Sequence, residues 1–272
     1  MQSIFVISEQ NNKVFTWGSG LQGQLGHGVE CLSLPIPQQI SLLQEETITA
    51  ISAGCDVSAA INDKGQIFTW GKTKGGVCTK AGGRGYTSNL QVPTIIDGFE
   101  GEKFRQISCG RGHMAAVTID GKLYSWGNNE HGKLGLGIEA PMTSNAKSIR
   151  DFQPQNYADK SMQGRVTEII GDKFIVQVEC GYHHTACLTK DGDVYTWGKG
   201  TDGVLGLGNY ENQVKPMKVE GLPAIVQIQC GGEFMLALDK TGNVYSWGRN
   251  KNGQLGTKGV QNLKECKPTK IK

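Results

Sequence analysis

Val14-Phe15-Thr16-Trp17-Gly18 decides the fold, because the chain writes it five times. It returns as Ile67 to Gly71, Leu123 to Gly127, Val194 to Gly198 and Val244 to Gly248. The five tryptophans of the protein, Trp17, Trp70, Trp126, Trp197 and Trp247, fall one per copy at spacings of 53, 56, 71 and 50 residues. Self-similarity at such a period marks a repeat architecture.

The register extends on both sides of the pentapeptide. A glycine stands six residues after each Trp (Gly23, Gly76, Gly132, Gly203, Gly253), and a Leu-Gly pair follows at Leu25, Leu134, Leu205 and Leu255. Upstream lies a Gly-x-x turn at Gly54, Gly110, Gly181 and Gly231, the last three preceded by Cys109, Cys180 and Cys230. A Pro-x-x-aliphatic strand closes most copies, as at Pro37 to Ile40, Pro93 to Ile96, Pro216 to Val219 and Pro268 to Ile271. Each copy therefore predicts about four short strands: an alternating one such as Ile225 to Gln229, a small-residue one such as Met235 to Leu238, the Trp strand, and the Pro strand. One such sheet cannot bury two apolar faces alone, whereas copies packed face to face around an axis can. The reading is an all-β fold over 1–272 as a single domain, a β-propeller of about five four-stranded blades with its ring closed or left open at the ends. The Trp side chains are the expected interblade core, and the alanines (Ala59-Ala60, Ala115-Ala116, Ala237) suit the strand nearest the axis.

Composition agrees. The 39 glycines among 272 residues, without a collagen period, call for many tight turns. Net charge is +3, but residues 258–272 hold five lysines against Glu265, so the rest of the chain sums to −1. That balance excludes the electrostatic footprint of a nucleic-acid binder. No apolar run is long enough to span a membrane. Met1 leads almost directly into Ile4–Ile7 with no basic segment, so the eight cysteines are expected as reduced thiols of an intracellular protein, cytoplasmic, cytoskeletal or nuclear.

The pattern Cys-Gly-x-x-His, aliphatic, Asp-Gly-x-Val-Tyr-x-Trp-Gly, Gly-Gln-Leu-Gly resembles the regulator-of-chromosome-condensation repeat family over essentially the whole chain. The resemblance implies a β-propeller, of seven blades in most members, where this chain shows five Trp-Gly units. Copy two departs at Gly76-Val77-Cys78-Thr79 and the glycine-rich Gly82 to Tyr86. Copy three exceeds the 53-residue mean spacing of the others by 18, and the surplus, 139–164, reads as a long loop.

No enzymatic constellation stands outside the repeat: there is no phosphate loop and no nucleophile elbow. Cys109 with His113, and Cys180 with His184, have the look of metal-ligand pairs. Both occupy one repeat position on different copies, however, and Val57 and Phe234 fill the histidine slot elsewhere, so neither metal nor cofactor is expected. The chain reads as a non-enzymatic scaffold or protein-interaction propeller. In the exchange-factor branch of the family, turn-tip residues grip a Ran-type small GTPase, and the resemblance carries that role to Asp56, Arg111, His113, Tyr182, His183, His184 and Glu233. Arg150, Phe152 and Tyr157 of the long loop are further partner-binding candidates. A lectin-like channel binder is the third reading, with only Tyr182 and Phe234 as tip aromatics. Copy one lacks its alternating strand, so nineteen strands stand where twenty would complete five sheets. The termini are expected either to close the ring, with Lys267 to Ile271 beside the first copy, or to leave edges that another protein covers by strand addition. Closure is the favoured outcome, since a gap would expose Phe5, Phe15 and Trp17.

Overall fold

Every Trp-Gly unit forms a strand, and in four of the five, among the described residues, its pairing with the next strand steps at a β-bulge. In a computed structural model, which describes residues 3–8, 10, 12–28, 31–72, 89–96, 98, 99, 101–137, 170, 171, 173–257 and 263–271, these strands organise five antiparallel sheets. The first holds β1 (Ser3–Ile7), β2 (Val14–Ser19) and β3 (Ser33–Gln39). The second holds β4 (Ile48–Ala53), β5 (Val57–Asn62), β6 (Ile67–Gly71) and β7 (Leu90–Ile95). The third holds β8 (Phe104–Cys109), β9 (His113–Thr118) and β10 (Leu123–Gly127). The fourth holds β11 (Ile175–Cys180), β12 (His184–Thr189), β13 (Val194–Gly198) and β14 (Gln213–Lys218); the fifth holds β15 (Ile225–Cys230), β16 (Phe234–Asp239), β17 (Val244–Arg249) and β18 (Lys264–Lys270). Two one-turn 3-10 segments, Ser41–Leu43 and Glu130–Gly132, are the helical elements among the described residues. The fourth strand expected in copy three, and the 139–164 loop with Arg150, Phe152 and Tyr157, lie outside them.

The bulge explains why Gly follows Trp. Pairing of β13 with β14 steps from Thr196–Met217 to Gly198–Gln213, leaving Trp197 out of the ladder. Gly198 turns at φ +104°, and a Cβ there would lie 2.5 Å from the His183 carbonyl oxygen. The freed indole reaches back to the preceding sheet. Nε1 of Trp70 donates to the Gln24 carbonyl (2.8 Å), that of Trp197 to Lys133 (3.0 Å), and that of Trp247 to Val204 (2.8 Å). In four copies the hydroxyl before Trp fastens its own loop: Thr16, Ser125, Thr196 and Ser246 donate to the carbonyls of Leu25, Leu134, Leu205 and Leu255. Trp70, Trp197 and Trp247 are fully buried, whereas Trp17, which has no sheet behind it among the described residues, and Trp126 are partly exposed.

Consecutive sheets share apolar cores. Val14, Ile48 and Trp70 join the first to the second, and Ile61, Phe104 and Met114 the second to the third. Val117, Ile175 and Trp197 join the third to the fourth, and Leu188, Ile228 and Trp247 the fourth to the fifth. The strand nearest the axis is the alternating one, not the alanine-rich one, because β4, β8, β11 and β15 contact one another in turn. The alanines sit one strand out, where neighbouring sheets press together. Glutamines stitch the inner strands: Gln106 donates to the Val178 carbonyl and accepts from its N–H (3.1 and 2.8 Å), and Gln177 does the same with Ile228 (2.7 and 2.9 Å).

The favoured closure does not occur among the described residues. β18 pairs with β17 and β1 with β2, each within its own sheet, and the first and fifth sheets do not pack on each other as consecutive ones do. Exposure records the gap. Strands β5, β9 and β12 are buried throughout, but in β16 Phe234, Leu236 and Leu238 are partly exposed. Gln227, the next stitching glutamine in the series, is exposed, whereas Gln106 and Gln177 are partly buried. At the other end Ile4 and Val6 of β1 face solvent. Glycines agree: a Cβ at Gly192 would meet Ala224, and one at Gly203 would meet Cys266, but the equivalent Gly242 and Gly253 of the last copy meet nothing within 4 Å. The sheets form an open arc.

Candidate partner-binding surface

The turn between each inner strand and the next strand is tight because chain and neighbour crowd it. A Cβ on Gly54 would lie 2.5 Å from the Gly110 carbonyl oxygen, and one on Gly110 2.5 Å from that of Gly181. The Tyr182 N–H donates to the Gly232 carbonyl at 2.9 Å. The Gly-x-x turns of the second to fifth sheets thus line up on one rim, as the repeat predicts, and bring the candidate residues into a row.

Their side chains do different things. Asp56 pairs with Lys72 at 3.0 Å, both about two-fifths exposed, and Glu233 pairs with Arg249. Arg111 is exposed, and its carbonyl accepts from the buried Lys133 ammonium at 3.1 Å. Burial holds Lys133 down at about 8, against the pull of Glu130. Tyr182 is 43% exposed and lies over Gly232, where a Cβ would meet its ring at 2.6 Å.

His113 and His184 are not on the tips. Each folds under its own turn, so a Cβ on Gly110 or Gly181 would strike its imidazole, and they are 0% and 1% exposed. Nε2 of His113 bonds the Thr185 hydroxyl of the next sheet at 2.9 Å. Burial drives His184 down to about 3 and His113 well below the usual histidine range, so both are neutral interior groups beyond a partner's reach. His183 is half-buried and pushed down to about 4, first by desolvation and then by the nearby Lys133 charge. Glu130 and His131, which the repeat pattern did not single out, stand beside it.

The concavity along the inner strands, about 430 Å³, is lined by Arg105, Gln106, Val176, Gln177, Leu188, Val226 and Gln227. Most of its polar groups are already used: Arg105 donates to the Ile175 carbonyl at 2.9 Å, and Gln106 and Gln177 are spent on strand stitching. A channel ligand would find little beyond Gln227 to bond.

A family model described as RCC1-like domain matches residues 1–272. The chain is 34% identical over 207 residues to the ultraviolet-B receptor UVR8 of Arabidopsis thaliana, covering 76% of this chain and 42% of that protein. It is 33% identical over 216 residues to the E3 ubiquitin-protein ligase HERC2 of Homo sapiens, covering 77% of this chain and 4% of the ligase. The chain thus spans less than half the length of these relatives. Among solved structures, human WBSCR16 superposes with a TM-score of 0.78 at 24% identity, over 99% of this chain and 65% of that one. Yeast RCC1 (Prp20), solved bound to Kap60, gives 0.73 at 22% identity, over 96% of this chain and 57% of that one. These likenesses fix the fold.

Proposed function

The chain belongs to the RCC1-like domain family, and on that footing we propose that it is a non-catalytic interaction propeller that docks into a larger protein assembly inside the cell. The observation that carries this reading is the uncovered end of the arc. On the face of β16, Phe234, Leu236 and Leu238 are partly exposed where β5, β9 and β12 are buried throughout, and Gln227 of the inner strand β15 is exposed where Gln106 and Gln177 are partly buried. Unpaired strand edges and exposed apolar faces recruit protein. At the opposite end β1 has one strand partner, β2, and an open edge beside exposed Ile4 and Val6. The rim with Arg111, Tyr182 and the Asp56 and Glu233 ion pairs adds a polar margin. Similarity to HERC2 reaches 4% of that ligase and brings no ligase chemistry with it. Among the described residues no helix is long and apolar enough to cross a membrane.

Affinity capture from native extract tests the proposal. Val226→Arg and Ile4→Arg alter exposed positions, so melting should not change, but one or both should lose the captured proteins. Capture of an identical set by the wild type and both variants would refute docking at the ends.

The alternative is a guanine-nucleotide exchange factor for a Ran-type GTPase. Its support is the fold of yeast RCC1. Burial of His113 and His184 removes two of the residues on which that role would rest, and Asp56 and Glu233 are each engaged by a cation.

A further inference from the structure

Where the third sheet's loop after Trp126 meets the turn between β11 and β12, three side chains with metal-ligand chemistry converge. One ligand atom from each of Glu130, His131 and His183 lies within 4.8 Å of the other two. The Glu130 carboxylate is 3.6 Å from His131 Nε2. The two imidazoles stand 5.7 Å apart between centroids, with their planes at 87°. Imidazoles bound to one zinc at about 2.0–2.1 Å per nitrogen, at a tetrahedral angle, have centroids roughly 5 Å apart, close to the spacing of these two rings.

Two further features bear on this place, the first found at it alone among the loops of this repeat position that are described. Among the described non-glycine residues only Asn12 and His131 have positive φ, +61° for His131. Gln22, Asp202 and Asn252 occupy the same repeat position without it, so the left-handed backbone that sets the His131 ring beside His183 belongs to copy three. His183, like the deeper His113 and His184, also carries a buried ring nitrogen, here Nδ1, that has no hydrogen-bond partner in the structure. Orphaned buried polar atoms call for an explanation such as an ion.

We propose that Glu130, His131 and His183 form a transition-metal site of the zinc type, one that clamps the third sheet to the fourth. Two imidazoles and one carboxylate suit zinc rather than calcium or magnesium. Three protein ligands leave a fourth position for water. The Lys133 ammonium opposes the ion and the Glu130 carboxylate offsets it, so the site is weaker than a closed four-ligand one. The pattern differs from the Cys109–His113 and Cys180–His184 pairs because its ligands come from two different loops of the repeat on adjacent sheets.

The test uses the full chain in a Cys55→Ser background, which removes the one exposed thiol among the described residues. Zinc chloride should raise the unfolding midpoint, and cobalt(II) should give a visible d–d spectrum without thiolate charge-transfer bands. Either His131→Ala or His183→Ala should abolish both signals. Glu130→Gln should weaken binding by roughly tenfold or more, since even residues that only orient a ligand contribute that much. Each variant is first shown to fold without metal by its β-type circular dichroism. Zinc stabilisation that persists in folded His183→Ala protein, a thiolate-type cobalt spectrum, or no binding by the parent chain would overturn the proposal.

Discussion

Replacing Trp197 by Ala should destabilise the protein by about 3–5 kcal/mol, and the structure says where that figure comes from. The indole is 0% exposed and packs among Val117, Leu123, Ile175, Val178 and Cys187, drawn from the third and fourth sheets. Truncation leaves a cavity between two rigid sheets that cannot collapse around it. The lost indole hydrogen bond adds little, because the Lys133 carbonyl still accepts from the Thr185 hydroxyl at 2.8 Å. Trp17 provides the internal comparison. It occupies the same repeat position but is partly exposed, with no preceding sheet to pack against, so Trp17→Ala should cost about half as much, roughly 2 kcal/mol. Urea unfolding followed by circular dichroism measures both. A loss below about 1 kcal/mol at Trp197, or equal losses at the two positions, would show that the tryptophans are not wedged between sheets as described.

Three other outcomes are expected. Gly206→Ala should destabilise by about 2 kcal/mol or more, since it strains a φ of +71° and sets a Cβ 2.7 Å from Trp247 Nε1. Gly256→Ala, at the same repeat position but 3.6 Å from its nearest neighbour, should cost less; equal midpoints in urea would mean the fifth sheet is covered after all. Burial holds Glu179 up at about 7 against an ordinary 4.5, although the Gln177 amide pulls the other way. Between those values the folded protein binds a proton that the unfolded chain does not, so stability should fall as pH rises from about 4.5 to about 7. Glu179→Gln should flatten that slope and raise stability at pH 8 by up to about 3 kcal/mol; an unchanged slope would contradict it. Finally, the chain should not accelerate GDP release from a Ran-type GTPase, and a stimulation lost on Asp56→Ala would favour the alternative function.

Much of this was legible in the sequence because the repeat imposes it. Trp, the following Gly and the Leu-Gly pair recur since the bulge, its left-handed glycine and the indole's reach into the preceding loop form one mechanical unit. The position of the inner strand was not legible. Alternating and alanine-rich strands both read as buried, and only packing shows that the glutamines of the former stitch neighbours around the axis. His113 and His184 read as tip residues because they follow a turn, yet the turn curls over them and Thr185 of the next sheet takes the His113 ring. His131 was missed for the opposite reason. Aligned with Gln22, Asp202 and Asn252 it looks like an ordinary loop residue, and its left-handed backbone has no counterpart at that position. Closure failed because the sequence pattern counts copies, not the contacts between the last and the first.

Hydrogen exchange on the isolated chain tests the open arc most directly. Amides of β1 and β2, residues 3–19, and of β15 and β16, residues 225–239, should exchange faster than those of β8 to β10, residues 104–127, which have packed sheets on both sides. Adding a captured partner should slow the first two sets and leave the third unchanged. Exchange at residues 3–19 as slow as at 104–127 in the isolated chain would mean that the ring is closed and the docking ends do not exist.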